Sequence, residues 1–250
     1  MPEGPEVKLF TDNIRKHFSF KKISQVKALS GRYTKKPIEN LHLLFNKTLT
    51  DVCCKGKFIW FHIEDIVIFN TLGMTGAWSK NKNTHTRILF DFDDGSQLCF
   101  NDMRNFGTLQ VKTQDDLRKK LKSIGPDMLS APPNNFVEIL RKHNNKNICV
   151  TLMNQKVISG VGNYIKAESL WYSYINPNAT VKDLTDSNLE LLEKAILDGK
   201  MHDVKDLNLE SKRYFILGKH KPWLCSFIIE HPQFRKMDNS VQWGWLDDED

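Results

Sequence analysis

Residues 49–71 read LTDVCCKGKFIWFHIEDIVIFNT: three apolar runs, Leu49–Cys54, Phe58–Ile63 and Ile66–Thr71, broken at Lys55-Gly56-Lys57 and Glu64-Asp65. Short runs rich in β-branched and aromatic residues, bounded by turn formers, are expected as β-strands. Downstream, Ile88–Phe92 and Gln97–Phe100 flank Asp94-Gly95, a strong hairpin signal. From about residue 23 to residue 111 the chain reads as strands and turns, which points to a sandwich or a barrel. Upstream, Val7, Phe10, Ile14 and Phe18 recur at three- and four-residue spacing, so Pro5–Phe18 is expected as an amphipathic helix with Pro5 in its first turn. After Thr113 the pattern turns helical, at Asp116–Ser123, Asn135–His143, Ile148–Asn154, Tyr164–Tyr174 and Asp186–Asp198. Gly125-Pro126 and Ala131-Pro132-Pro133 punctuate the connection. The reading is a mostly-β half, a mostly-α half and a short tail.

The charge is uneven along this frame. The 250 residues carry +6, but residues 223–250 hold six acids and two bases, −4, which leaves +10 on residues 1–222. A basic body with an acidic end suits a phosphate-binding protein, though an ordinary lysine-rich surface explains the charge as well. The longest apolar stretch, Phe58–Phe69, is interrupted by His62, Glu64 and Asp65, so no bilayer span is expected. The N-terminus lacks the basic-then-apolar pattern of a secretory signal. Five cysteines, none in a C-x-x-C pair, argue against a disulfide scaffold and a four-thiolate zinc site. A reducing, intracellular compartment is the natural expectation.

Three places carry chemistry. Removal of Met1 would leave Pro2 as a secondary amine at a helix mouth. An α-amino group titrates near ~8, so a useful fraction is neutral at physiological pH, and the helix dipole favours that form. Such an amine attacking a sugar carbon gives an iminium ion, an electron sink, with Glu3 and Glu6 beside it to move protons. The same residues also make an ordinary helix start. The second place is a set of turns: Lys55-Gly56-Lys57, Leu72-Gly73-Met74-Thr75-Gly76 and Asn101-Asp102-Met103-Arg104-Asn105-Phe106-Gly107. Lysine beside glycine lets a phosphate approach. Met74, Arg104 and Phe106 could fill the gap left by a flipped nucleotide. Taken singly, Met74 and Phe106 are residue types expected in a core. The third is Leu152-Met153-Asn154-Gln155-Lys156 followed by Gly160-Val161-Gly162-Asn163-Tyr164: two glycines and an asparagine between helices can present N–H groups and an amide to a phosphate, though the glycines read first as a tight interhelical turn.

In this order and spacing the motifs resemble the formamidopyrimidine-DNA glycosylase/endonuclease VIII family over roughly residues 2–200. The resemblance implies an α+β protein: an N-terminal β-sandwich flanked by helices at residues 2–113, a connection at 114–134, and a helical domain with a helix–two-turn–helix motif at 135–222. It implies Pro2 as Schiff-base nucleophile, Glu3 as general acid/base, Glu6 as helper near the sugar, and Lys57 at the phosphate beside the lesion. Met74, Arg104 and Phe106 match the residues that enter the duplex. Asn163 matches the asparagine that holds backbone phosphate, Lys156 a basic residue near the damaged site, and His85 a DNA-contacting histidine.

There are departures. Many relatives end in a four-cysteine zinc finger, whereas the C-terminal segment here offers only Cys225. His220, Cys225 and His231 lack familiar zinc spacing, so neither a metal nor another cofactor is expected. Residues 223–250 are expected to be a short acidic tail, a remnant of a zinc-free finger as in endonuclease VIII-like members, with Arg235 the finger candidate. Asn105 stands where many relatives have a second arginine, and Asn154 where many have aspartate. The implied function is a monomeric bifunctional glycosylase and abasic-site lyase acting on oxidised bases in double-stranded DNA, with single-stranded DNA a further substrate. It would work with the DNA genome, in the nucleus of a eukaryote or in the cytoplasm of a bacterium or a viral factory. The rival readings are a non-catalytic binder of damaged DNA and an RNA- or ribosome-associated protein.

Overall fold

The computed structural model describes residues 2–204, with side chains through residue 198. Helix α1 (Gly4–Phe18) opens the chain, with Pro5 and Glu6 in its first turn and Arg15, Lys16 and His17 in its last, each sign of charge at the favourable end of the dipole. Val7, Thr11, Ile14 and Phe18 form its buried face. The Glu6 carboxylate reaches back to accept the N–H of Glu3 at 3.0 Å, which ties down the helix entrance.

Eight strands follow: β1 (Lys21–Ala28), β2 (Thr48–Lys55), β3 (Phe58–Ile63), β4 (Ile66–Thr71), β5 (Gly76–Ser79), β6 (Thr86–Phe92), β7 (Gln97–Asp102) and β8 (Thr108–Thr113). A short helix, α2 (Arg32–Lys35), interrupts the connection from β1 to β2. The strands pair antiparallel in the order β5-β7-β6-β1-β2-β3-β4-β8. Strand β1 is shared between two layers: Lys21 and Lys22 pair with β2, and after an irregular step at Ile23–Gln25 the strand runs along β6. The layers enclose one core, in which Trp78 of β5 lies 5.0 Å between ring centroids from Phe61 of β3 and 5.0 Å from Phe100 of β7. This is the expected sandwich. Strands β3 and β4 are also covered on their outer face, where Phe58, Trp60 and Val67 pack with Leu117 of α3 (Gln114–Ser123). Burial on both faces explains why these strands are continuous apolar runs.

The helical part comprises α4 (Phe136–Arg141), α5 (Ile148–Met153), α6 (Asn163–Tyr172) and α7 (Asp186–Val204) around a second core that includes Phe136, Leu140, Ile148, Leu152, Leu170 and Leu192. Helix α6 stops short of the expected Tyr174, which takes the left-handed region at φ 54°. Helix α7 runs beyond the expected Asp198 to Val204. Among the described residues no helix is long and apolar enough to cross a membrane. The expected tail at 223–250 and Arg235 lie outside the described residues, as do His220, Cys225 and His231.

Candidate active site

The N-terminus lies against the start of α6, and four segments distant in sequence converge there. Gly4 donates its N–H to the carbonyl of Gly160 at 2.9 Å. Glu3 sits at the N-cap of α1, yet its carboxylate turns toward the other helix. Its Oε1 accepts the N–H of Tyr164 at 2.9 Å and its Oε2 the N–H of Ile165 at 3.3 Å, so it satisfies free donors at the start of α6. Gly162 makes this possible, because a Cβ there would collide with the Glu3 carboxylate. The G-x-G segment is therefore more than a tight turn between helices.

The turn itself is stapled by Gln155, whose Oε1 accepts the N–H of Gly160 at 3.0 Å and whose Nε2 donates to the carbonyl of Val161 at 2.9 Å. From the β-layer, Gly56 in the β2–β3 turn takes φ +57°. Its N–H donates to Asp127 Oδ2 at 3.1 Å, and a Cβ on it would meet Ser159 Cβ at 2.6 Å. Any side chain at 56 would also press on the Gly160 nitrogen, in the segment that holds Gly4. Asp127 lies outside every motif of the sequence, and Gln155 and Tyr164 stand within the third without a role of their own there.

The electrostatics follow from burial. Glu3 is only 1% exposed. Burial pushes its carboxyl up to about 7, against the pull of the Lys57 cation and of the Tyr164 and Ile165 N–H donors, while the Glu6 charge adds to the rise. A carboxyl poised there can both give and take a proton at neutral pH. Burial likewise lowers the Lys57 ammonium, with the Glu3 and Glu6 carboxylates opposing the shift. Lys57 thus stands half-buried near both acids instead of on an open surface. Glu6 Oε2 also accepts the Tyr164 hydroxyl at 3.0 Å. Pro2 is buried beside these groups at the head of the chain.

Met74, Arg104 and Phe106 form a second cluster. Arg104 Nη1 contacts Met74 Sδ at 3.5 Å. Gly73, at φ +63°, lets the two turns touch, since a Cβ on it would meet the Gly107 nitrogen at 2.6 Å and Phe106 Cβ at 3.1 Å. Asp102, 1% exposed, accepts the Gly107 N–H at 2.7 Å and the Thr75 hydroxyl, which in turn accepts the Arg104 N–H at 2.9 Å. Arg87 donates to the carbonyls of Asp102 and Met103 at 2.7 and 3.0 Å, and Arg32 to that of Gly107. A rigid base thus presents apolar side chains to solvent. Met74 is 39% exposed and Phe106 58%, which overturns the core expectation for both. Met103, in the same turn as Arg104 and Phe106, is 54% exposed. Asn105 takes φ 57°, a region that asparagine tolerates, and packs against Gly31.

The remaining expected residues are placed as follows. Lys156 is exposed, and its N–H donates to Asn154 Oδ1 at 3.1 Å, so the amide at 154 supplies the acceptor for this turn. Asn163 is exposed at the first residue of α6, where Lys166 Nζ donates to its Oδ1 at 3.2 Å. His85 is exposed just before β6, and its carbonyl accepts the Asp102 N–H at 2.9 Å beneath the Met74 cluster. Among the described residues no three of His, Cys, Asp and Glu are grouped so as to hold a metal ion.

With the geometry in place, comparison with known proteins is specific. Residues 1–109 match the model of the formamidopyrimidine-DNA glycosylase N-terminal domain, and residues 124–202 that of the formamidopyrimidine-DNA glycosylase H2TH domain. The chain is 31% identical over 211 residues to the formamidopyrimidine-DNA glycosylase of Bacillus licheniformis, covering 79% of this chain and 76% of the relative. It is similar to MutM in complex with DNA containing carbocyclic 8-oxo-G, with a TM-score of 0.72, 26% identity and 80% of each chain covered. It is also similar to the Lactococcus lactis enzyme in complex with DNA containing an oxidised pyrimidine, with a TM-score of 0.72, 25% identity and 82% of each chain covered. The expected kinship with zinc-free, endonuclease VIII-like members rests on residues 223–250 and so lies outside the described residues.

Proposed function

Because the chain belongs to the formamidopyrimidine-DNA glycosylase family, and is a DNA glycosylase of DNA repair, we propose that it works through a Schiff base on Pro2 and also cleaves the strand as an abasic-site lyase. The observation that carries this reading is the buried Glu3 carboxyl, near neutrality in pKa, immediately after Pro2 and neighboured by Glu6 and Lys57. Once Met1 is removed, the Pro2 nitrogen attacks C1′ of the damaged nucleotide and the C1′–base bond breaks, with the base leaving by proton transfer from Glu3. The sugar ring opens to an iminium ion. Loss of a C2′ proton then expels the 3′ phosphate by β-elimination, and a δ-elimination at the 5′ side can follow. Lys57, Lys156 and Asn163 supply donors and charge for DNA phosphates or the damaged site, with His85 a further contact.

The substrate is damaged double-stranded DNA, in keeping with the lesion-containing DNA of the similar structures. Oxidised pyrimidines and ring-opened purines are the favoured lesions. The test is a single-turnover assay on a duplex bearing one such base. Base release with strand cleavage is the expected result; tight binding of the damaged duplex without release would establish a non-catalytic binder instead.

Met74, Arg104 and Phe106 fill the space a flipped nucleotide vacates. Flipping from a duplex costs a few kcal/mol of unstacking and unpairing, which the wedge offsets in part. Met74→Ala and Phe106→Ala should therefore slow excision from duplex DNA by about tenfold or more, and from single strands far less. Because both side chains are exposed, folding stability should change by only about 0.5 kcal/mol. Equal losses on both substrates, tracking a lowered melting temperature, would refute the wedge.

A further inference from the structure

We propose that Tyr164 is a positioning residue that aims the nucleophilic N-terminus, an inference that rests on the Schiff-base reading of Pro2. One residue of α6 holds both acids. Its N–H donates to Glu3 Oε1 at 2.9 Å, and its hydroxyl donates to Glu6 Oε2 at 3.0 Å. That same Glu6 oxygen accepts the N–H of Glu3 at 3.0 Å. The Glu3 N–H belongs to the peptide plane leading out of Pro2, so this bond fixes the plane against which the Pro2 ring nitrogen points. Only rotation about the Cα–C bond of Pro2 separates the two. A chain of two hydrogen bonds therefore runs from the Tyr164 hydroxyl through Glu6 to the peptide that carries the nucleophile.

The hydroxyl matters because Glu6 is only partly buried and sits on the first turn of α1, where its side chain can also rotate outward. With two donors converging on one oxygen the inward rotamer is held; with one it is free to exchange. Misaim of an attacking atom slows bond formation more than it weakens binding, since phosphate contacts elsewhere supply most of the affinity. Tyr164→Phe removes only the hydroxyl. The ring and the backbone N–H to Glu3 remain.

The experiment uses the full chain and single-turnover borohydride trapping on an abasic-site duplex, with DNA affinity and melting temperature measured in parallel. Tyr164→Phe should trap about tenfold more slowly, as for loss of one hydrogen bond to a charged group, while Kd stays within about twofold. Glu6→Ala should also slow trapping, and the double variant should be no slower than Glu6→Ala alone, because Tyr164 acts through Glu6. Wild-type trapping by Tyr164→Phe overturns the inference. So do additive losses in the double variant, or a slowing that follows a weaker Kd and a lower melting temperature. Absence of any wild-type adduct overturns the Schiff-base reading itself, an outcome distinct from an adduct that forms at full rate without the hydroxyl.

Discussion

Borohydride trapping of the protein on abasic-site DNA should yield an adduct at residue 2, and extending the N-terminus by a tag should reduce it roughly a hundredfold or more. An amide nitrogen has no free lone pair, so a peptide bond ahead of Pro2 removes the nucleophile while leaving the surrounding fold in place. A free α-amine titrates near ~8, well below lysine, and the N-terminus of α1 disfavours its protonated form further. Pro2→Gly should also lose most of the adduct: it retains an amine but not the ring that limits its orientation. Peptide mapping decides the assignment. An undiminished adduct in the tagged protein, or an adduct on an internal lysine such as Lys57, would falsify the mechanism.

How much of this was legible depends on whether a residue's task is local. Strands β3 and β4 coincide with the expected Phe58–Ile63 and Ile66–Thr71 because their signal, a short apolar run between turn formers, is written within the run itself. Strand β5 (Gly76–Ser79) was not separately legible: its first residue was read as the closing glycine of the Leu72–Gly76 turn, and its brevity leaves no periodicity. Pro2, Glu3 and Glu6 could be singled out because an amine and acids adjacent in sequence suggest their chemistry directly. The tasks of Tyr164 and Asp127 could not be read the same way. Their work consists of hydrogen bonds to Glu6 and Gly56, 158 and 71 residues away, and nothing near them in sequence marks such partners. For Met74 and Phe106 two sequence signals compete, residue type and turn context, and turn context prevails. Residue type places them inside, but turns bounded by Gly73, Gly76 and Gly107 lift them off the sheet, and backbone conformation outranks hydrophobicity there.

Glu3→Gln should keep DNA binding and lose about 10²–10⁴-fold in base excision, the range for removal of a general acid/base. The amide preserves size and can still accept one of the two α6 N–H groups, but it cannot donate a proton to a departing base at neutral pH. Activity on preformed abasic sites should suffer less, because the base has already left. The pH profile sharpens the test. With its carboxyl up at about 7, wild-type Glu3 loses its proton as pH rises through that value, so acid-assisted excision should decline there, and the variant should lack that inflection. Stability must follow the same group. A carboxyl whose folded pKa exceeds its usual 4.5 favours folding most when protonated, so its contribution is intact below pH 4.5 and is lost as pH rises through about 7. Urea unfolding of the wild type should therefore show a stability loss across that window that Glu3→Gln does not share. Wild-type excision by Glu3→Gln, or an unchanged inflection near pH 7 in the variant, would move the proton transfer to another group, with Glu6 the nearest candidate.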